Sequence, residues 1–195
     1  MSRTITDEDL PRVIHIRSDR AERLDSIGHV MLADSSATGG ALSSHRVDLA
    51  PGADGSVPHR HNTFTETFYV LDGVLDVLAG QEVLTARAGD LVVVPPGVVH
   101  AYAAHHGSGA AAPVVATPGV VERFEYFHHL VRRRAGLEPA EVLLASQDRF
   151  DTHFTDRAAW QKARGKSIAS AYQSRPANAR RNVTLRVGSG GDDPW

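Results

Sequence analysis

Short runs of apolar and β-branched residues, separated by glycine and proline turns, dominate the first two thirds of the chain. Runs of this kind, spaced about 8 to 12 residues apart, are typical of an all-β sandwich or barrel. A tight hairpin is predicted at Asp72-Gly73, between two of these runs. The predicted strands cover residues 12–16, 28–32, 41–49, 64–71, 74–78, 82–86, 91–94, 98–103 and 113–116.

After residue 117 the apolar residues change to helical spacing. Thr117 can cap a helix and Pro118 suits its first position, so we predict a helix over residues 118–135. Two shorter helices are predicted over residues 139–146 and 157–163. The apolar stripe of the long helix, which we expect to pack on the β domain, consists of Val120, Phe124, Phe127, Val131 and Ala135.

These patterns divide the chain into three predicted segments. Residues 1–117 form a β-barrel with N-terminal strands, and residues 118–163 form a helical extension packed on it. Residues 164–195 form a basic tail, in which residues 183–187 alternate well enough for one strand. The length of 195 residues and the 42% hydrophobic content suit a single well-filled core.

Composition excludes several classes of function. Cysteine is absent, so no disulfide, thiolate nucleophile or sulfur-ligated metal is available, and a bound metal must use nitrogen and oxygen ligands. A net charge of -2 argues against a nucleic-acid partner. The sequence contains no apolar stretch long enough to span a bilayer, so we expect a cytoplasmic chain with no membrane partner.

Three histidines and one glutamate are the candidate functional residues. Because alternate residues of a strand share a face, His59 and His61 point the same way. Glu66 lies on the next segment, and His100 follows the turn at residues 95–97. Three imidazoles and one carboxylate suit a divalent first-row metal ion, with Fe, Mn, Ni, Co and Zn all compatible.

The two stretches that hold these residues resemble the two signature motifs of the cupin superfamily. The first motif is met by His59, His61, Glu66 and Gly73, and the second by Gly89, Pro95, Gly97 and His100. The motifs depart from the family pattern at Ala53 and Ala104, which both lie outside the ligand set. The resemblance implies a single cupin barrel, a double-stranded β-helix or jelly roll, with His59, His61, Glu66 and His100 as metal ligands.

The Thr-Pro-Gly sequence that begins at residue 117 and the helical extension after it resemble small bacterial quercetin 2,3-dioxygenase-like cupins. That resemblance implies an oxygen-using enzyme that cleaves a flavonol-like or enolic aromatic substrate and releases carbon monoxide. Glu66 would then be both ligand and catalytic base. The residues predicted to line the substrate pocket are His45, Phe64, Phe68, Tyr102 and Phe124.

Other functions fit the same constellation. A polyketide cyclase or an isomerase would use the metal as a Lewis acid only, and a sensor or storage protein would bind a small molecule without reaction. We expect a small-molecule partner, with dioxygen as the second substrate of the dioxygenase. A homodimer is also expected, because cupin sheets commonly pair through an outer face.

Overall fold

The computed structural model describes residues 13–119 and 121–165. These residues contain eleven β-strands and three α-helices. The strands are β1 (Arg23–Leu24), β2 (His29–Ala33), β3 (Ser43–Leu49), β4 (His59–Arg60), β5 (Thr65–Tyr69), β6 (Asp72–Ala79), β7 (Glu82–Arg87), β8 (Leu91–Val94), β9 (His100–Ala104), β10 (Ala110–Thr117) and β11 (His153–Phe154). The helices are α1 (Arg123–Arg134), α2 (Ala140–Ala145) and α3 (Ala158–Ala163).

The strands pair antiparallel and follow the order β1-β2-β3-β10-β6-β9-β4-β11, with β5 joined to β10 and β8, and β7 joined to β6. The prediction of a mostly β domain with added helices is therefore confirmed. Among the described strands this path runs from β1 to β11 as an open sheet. The strand pairing does not show the predicted closed barrel.

Alternation of side chains along the strands builds the main core. In β3 and β10 every second residue is buried, as expected for strands with one face against the core. The strands β5, β6 and β9 contribute the largest side chains to the same interior, including Phe68, Leu75 and Tyr102. This core lies directly beside the strands that carry the candidate ligands.

A second core lies between α1 and the first two strands. Tyr126 and Phe127 of α1 pack with Leu24 and Met31, and Phe150 joins them from the segment after α2. Helix α1 thus packs against β1 and β2. The extension also carries β11, which the sequence pattern did not predict and which pairs with β4.

The start of the long helix differs from the prediction. Thr117 is the last residue of β10, where it pairs with Thr65, and α1 begins only at Arg123. The reason is a tertiary cap: the Asp34 carboxylate accepts hydrogen bonds from the backbone N–H groups of Arg123 and Phe124, both at 2.8 Å. Val120 of the predicted stripe lies outside the described residues.

Two further local predictions were wrong. Residues 13–16 are exposed and form no strand, whereas Arg12 lies outside the described residues. Asp72-Gly73 is not a hairpin, because both residues belong to β6 and pair with β10. Gly73 has φ +73, and a Cβ there would lie 1.9 Å from the Gly109 carbonyl oxygen, so this close approach of two backbones requires glycine.

The first residue assigned to the tail is part of the folded structure. Arg164 is buried, and its Nη1 atom lies 3.0 Å from Asp76 Oδ2. The strand predicted over residues 183–187 lies outside the described residues. None of the helices in the described part of the chain is long and apolar enough to cross a membrane.

Candidate metal centre

Two neighbouring strands place His59 and His100 side by side. β4 and β9 pair so that His59 and His100 are direct cross-strand partners. His61 follows β4 at the same parity as His59 and is also buried. Glu66 comes from β5, where it pairs with Ala116 and Val94, so the carboxylate reaches the histidines across the interior rather than from an adjacent strand.

The four predicted ligands converge on one point. The structure brings the candidate donor atoms of His59, His61, Glu66 and His100 within 4.8 Å of one another. The shortest contact joins His100 Nε2 to Glu66 Oε2 at 3.0 Å, and His61 Nε2 lies 3.8 Å from Glu66 Oε1. All four residues are between 1% and 5% exposed. This cluster could hold a metal ion.

Backbone carbonyl groups fix the orientation of all three imidazoles. The Nδ1 atom of His59 donates to the Val57 carbonyl at 2.8 Å, and that of His100 donates to the Val98 carbonyl at 3.0 Å. His61 Nδ1 donates to the Asp151 carbonyl at 2.5 Å. Because a carbonyl oxygen can only accept, each Nδ1 carries the proton and each Nε2 is left with a lone pair, as in metal-ligating histidines.

This arrangement fits a cation. His61 Nε2 is sealed from solvent and has no hydrogen-bond partner, which is unusual for a buried polar atom. A neutral His100 presents its Nε2 lone pair to the Glu66 carboxylate, and two electron pairs at that distance repel unless a proton or a metal ion lies between them. Donors bound about 2.1 Å from one ion are about 3.0 Å apart when they lie at right angles.

Electrostatics favour the same protonation states. Burial lowers the pKa of His59 well below its usual value, and the neighbouring His100 and His61 lower it further. Burial likewise lowers the pKa of His61. For Glu66 burial acts in the opposite direction, but hydrogen bonds from His100 and His61 outweigh it when their Nε2 atoms carry a proton, and they then hold the pKa of the carboxyl well below its usual value. A metal ion in place of that proton acts in the same direction. Neutral imidazoles and an ionised carboxylate are the ligand forms that a divalent ion binds.

The turn before His100 also holds the loop at His61. Gly97 closes this turn with φ +82, a conformation that side-chain-bearing residues rarely adopt. Its N–H donates to the His61 carbonyl at 2.6 Å. The proline and glycine positions of the second motif therefore position a ligand of the first motif, as well as aiming His100.

The family comparison agrees with this geometry. Residues 45–116, which contain both motifs and all four candidate ligands, match the family model described as "Cupin domain". This region is thus similar to cupin domains. The match supports the cupin superfamily for the chain, as the two motifs predict, whereas the finer resemblance to quercetin 2,3-dioxygenase-like proteins is not confirmed.

One curated protein and several solved structures are similar to part of this chain. Germin-like protein 1-1 from Oryza sativa subsp. japonica is 38% identical over 80 residues, which cover 38% of this chain and 36% of the relative. The match thus spans about a third of that protein. KdgF from Halomonas sp. is 24% identical, with a TM-score of 0.40, over 47% of this chain and 81% of that chain.

Two further solved structures carry enzyme names. A predicted oxalate decarboxylase from Thermotoga maritima is 19% identical, with a TM-score of 0.47, over 53% of this chain and 97% of that chain. The polyketide cyclase RemF from Streptomyces resistomycificus is 18% identical, with a TM-score of 0.46, over 54% of this chain and 79% of that chain.

Asp151 organises the loop that carries His61, although the sequence analysis did not single it out. Its carboxylate accepts hydrogen bonds from the backbone N–H groups of Asn62 and Thr63 and from the Thr63 hydroxyl, the last at 2.6 Å. Its carbonyl accepts the His61 Nδ1 proton. These contacts connect segments about 90 residues apart, and the sequence carries no local signal for them.

The predicted pocket residues take different places in the fold. Phe64 stacks on the His61 ring, with centroids 4.0 Å apart, and Phe68 packs against Tyr102 at 5.2 Å. His45 stacks on His29 at 4.9 Å and contacts Phe127 of α1. Phe124 is instead part of α1 and packs against the second core. Their role in binding substrate stays a prediction.

Proposed function

We propose that this chain is a metal-dependent cupin enzyme that uses dioxygen to cleave a flavonol-like or enolic aromatic substrate. The observation that carries the proposal is the convergence of three imidazole Nε2 atoms and one carboxylate on a single buried point. A divalent transition metal held by His59, His61, Glu66 and His100 would supply Lewis acidity, which lowers the pKa of a substrate hydroxyl, and redox chemistry if the ion is redox-active.

Glu66 is the residue that can move a proton. Its ionised carboxylate has two oxygens, and Oε2 contacts His100 while Oε1 is the atom nearer His61. In the proposed reaction one of these oxygens accepts the proton of the enolic hydroxyl, which leaves the substrate as an oxyanion. A positioned general base of this kind accelerates proton transfer by about 100-fold to 10000-fold.

Aromatic side chains lie next to the candidate metal site. The Phe64 ring covers His61, and Phe68 and Tyr102 fill the core next to the site, so a planar aromatic substrate would meet aromatic faces. A site with little water strengthens the electrostatic interaction between Glu66 and the substrate hydroxyl. These features suit an enolic aromatic better than a small hydrophilic substrate.

Reconstitution tests the proposal. The metal-free protein is loaded separately with Fe, Mn, Co, Ni or Zn, and oxygen consumption and carbon monoxide release are measured with a flavonol as substrate. We expect turnover with at least one redox-active ion and its loss on chelation. Glu66→Gln should keep bound metal but slow turnover by at least about 100-fold, whereas the exposed control Glu82→Gln should be unchanged.

The other outcomes identify the competing functions. Anaerobic conversion of an enolic or polyketide substrate by the metal-loaded protein, with no oxygen consumption, would replace the dioxygenase with a cyclase or an isomerase. Tight binding of the flavonol without turnover under every metal would indicate a binding protein. Unchanged turnover in Glu66→Gln would reject the role of Glu66 as the base.

A further inference from the structure

Arg123 is a buried cation close to the metal centre. Its residue is 4% exposed, and the guanidinium lies over the rings of Phe64, Tyr126 and Phe127, with its Cζ atom 5.4, 4.8 and 5.4 Å from their centroids. Phe64 contacts this guanidinium and also stacks on the ligand His61. A single phenyl ring therefore connects Arg123 to the candidate metal site.

No carboxylate neutralises this cation at close range in the described part of the chain. The side-chain hydrogen bonds of Arg123 run from Nη1 to the Phe150 carbonyl at 3.1 Å and to the Thr152 hydroxyl at 2.8 Å. The other buried arginine, Arg164, has an ion pair with Asp76 at 3.0 Å. Burying a cation without a paired anion is costly, so the contrast between the two arginines needs a reason.

The charges around the metal centre increase the contrast between Arg123 and Arg164. Glu66 supplies one buried negative charge and Arg123 one positive charge, and both act on the pKa of His29, His45 and Tyr102, which lie around the same interior. A divalent ion, the Glu66 carboxylate and one enolate oxygen would together be neutral. The guanidinium of Arg123 would then still lack an ion pair, and a second anionic group on the ligand would supply it.

Polar groups without partners surround the same interior. The hydroxyl groups of Tyr102 and Tyr126 and the His45 ring belong to buried residues and have no hydrogen-bond partner among the residues that the structure describes, but their polar atoms are not sealed from solvent, so a ligand atom could reach them. Burial keeps both hydroxyls protonated, because it raises the pKa of Tyr126 to about 12 and that of Tyr102 further. Buried groups of this kind are normally paired with protein, water or ligand.

We propose that Arg123 is the counter-ion for a carboxylate of the substrate, so that the site accepts an enolic or phenolic acid rather than a neutral phenol. The enolic oxygen would face the metal centre, and the carboxylate would lie on the Arg123 side of Phe64. Arg123 is thereby a specificity-determining residue. This inference rests on the proposed function for the metal centre and adds a second charge to the substrate.

Paired ligands that differ only in charge test this assignment. The zinc-loaded protein is titrated calorimetrically with 3,4-dihydroxybenzoate and with its methyl ester, which share the ring and both hydroxyl groups. We expect the acid to bind at least about tenfold more tightly than the ester, as charge-assisted hydrogen bonds contribute. Equal affinity of the two ligands for the wild-type protein would overturn the inference, whatever the variants do.

Three variants test whether the preference for the acid over the ester depends on Arg123. Arg123→Gln should remove the preference for the acid while leaving metal content and affinity for the ester unchanged, and Arg123→Lys should keep part of the preference. Thr152→Val is the structural control, because it removes one acceptor of the guanidinium but keeps its charge. A preference that persists in Arg123→Gln, or that disappears in Thr152→Val as completely as in Arg123→Gln, would contradict the inference.

The result of the binding assay can be distinguished from the result of the turnover assay that tests the proposed function. The binding assay uses zinc and no dioxygen, so loss of oxygen-dependent turnover leaves its result intact. A dioxygenase that binds acid and ester equally would keep the proposed function and lose the role of Arg123. An acid preference without any turnover would do the reverse.

Discussion

At the scale of single residues, the four candidate metal ligands follow from spacing and strand parity, but their supporting residues do not. His59 and His61 share a strand face, and the turn at Gly97 orients His100, so local rules suffice for these ligands. Asp151 and Arg123 act through contacts with segments far away in sequence. No local pattern marks an aspartate whose carbonyl accepts a histidine proton about 90 residues away.

His29 shows how burial changes the chemistry of a residue to which the sequence alone assigns no role. It lies under α1, stacked on His45, with Nδ1 donating to the Ile27 carbonyl at 2.8 Å. Burial lowers the pKa of His29 from 6.5 to about 4. The folded protein therefore keeps this imidazole neutral at a pH where the unfolded chain protonates it.

The stability of the metal-free protein should fall as the pH falls from about 6.5 towards about 4, because the unfolded state then binds the additional proton. Above about pH 6.5 both states are neutral at His29, and the group gives no pH dependence. Replacement by glutamine, which does not titrate, should reduce the loss of unfolding free energy between about pH 7 and about pH 5 by about 2 kcal/mol. Urea unfolding at both pH values measures this difference, and identical losses in wild type and His29→Gln would contradict it.

At the scale of secondary-structure elements, the longer strands and the two short helices lie within a few residues of their predictions. The start of α1, the strand predicted near residue 14 and the short strands β1, β4 and β11 were not predicted correctly. Residues 91–94 form β8 with the predicted limits. β-branched residues bounded by Gly-Asp and Pro-Pro predict the two ends of a strand with little ambiguity. The start of α1 was missed because its cap comes from Asp34, far away in sequence. The loop that ends at β11 was read as part of a helical extension, yet it holds His61 in place.

We expect this loop to affect the metal affinity of the site through Asp151. Asp151→Ala leaves the N–H groups of Asn62 and Thr63 and the Thr63 hydroxyl without their acceptor, so we expect a loss of roughly 2–4 kcal/mol in unfolding free energy. Metal affinity should fall by roughly 10-fold to 100-fold, as for other residues that orient ligating histidines. Thermal unfolding and competitive metal titration measure the two effects.

Asp148 offers a matched control in the same loop, since its side chain is fully exposed. Asp148→Ala should leave both unfolding and metal affinity nearly unchanged. If Asp151→Ala kept wild-type metal affinity, the Asp151 carboxylate would have no part in positioning His61.

At the scale of the whole molecule, an apolar surface remains on the outside of the sheet. Tyr69 and Leu91 are cross-strand partners at 44% and 61% exposure, and Val93 is 53% exposed. Among the described strands β8 pairs only with β5, so its other edge is open. An open edge with exposed apolar side chains is a typical contact surface between two copies of a chain.

We therefore propose that the expected homodimer forms through β5 and β8. Leu91→Lys should place a charge in this contact and convert the dimer to a monomer, and light scattering at increasing protein concentration measures the mass. Leu137→Lys is the control, because Leu137 is also an exposed leucine but follows α1. A wild-type protein that stays monomeric, or a dimer that persists in Leu91→Lys, would contradict the proposed contact.

The proposed function depends most directly on the metal centre, and metal content tests whether that centre exists. The purified wild-type chain, dialysed and analysed for transition metals, should contain about one divalent ion per chain. His61→Ala and His100→Ala should each lower the metal affinity by about tenfold or more while the protein stays folded, and the exposed His106→Ala should not. Full metal content in both ligand variants, or none in the wild type after titration with each candidate ion, would contradict the assignment of His59, His61, Glu66 and His100 as a metal site.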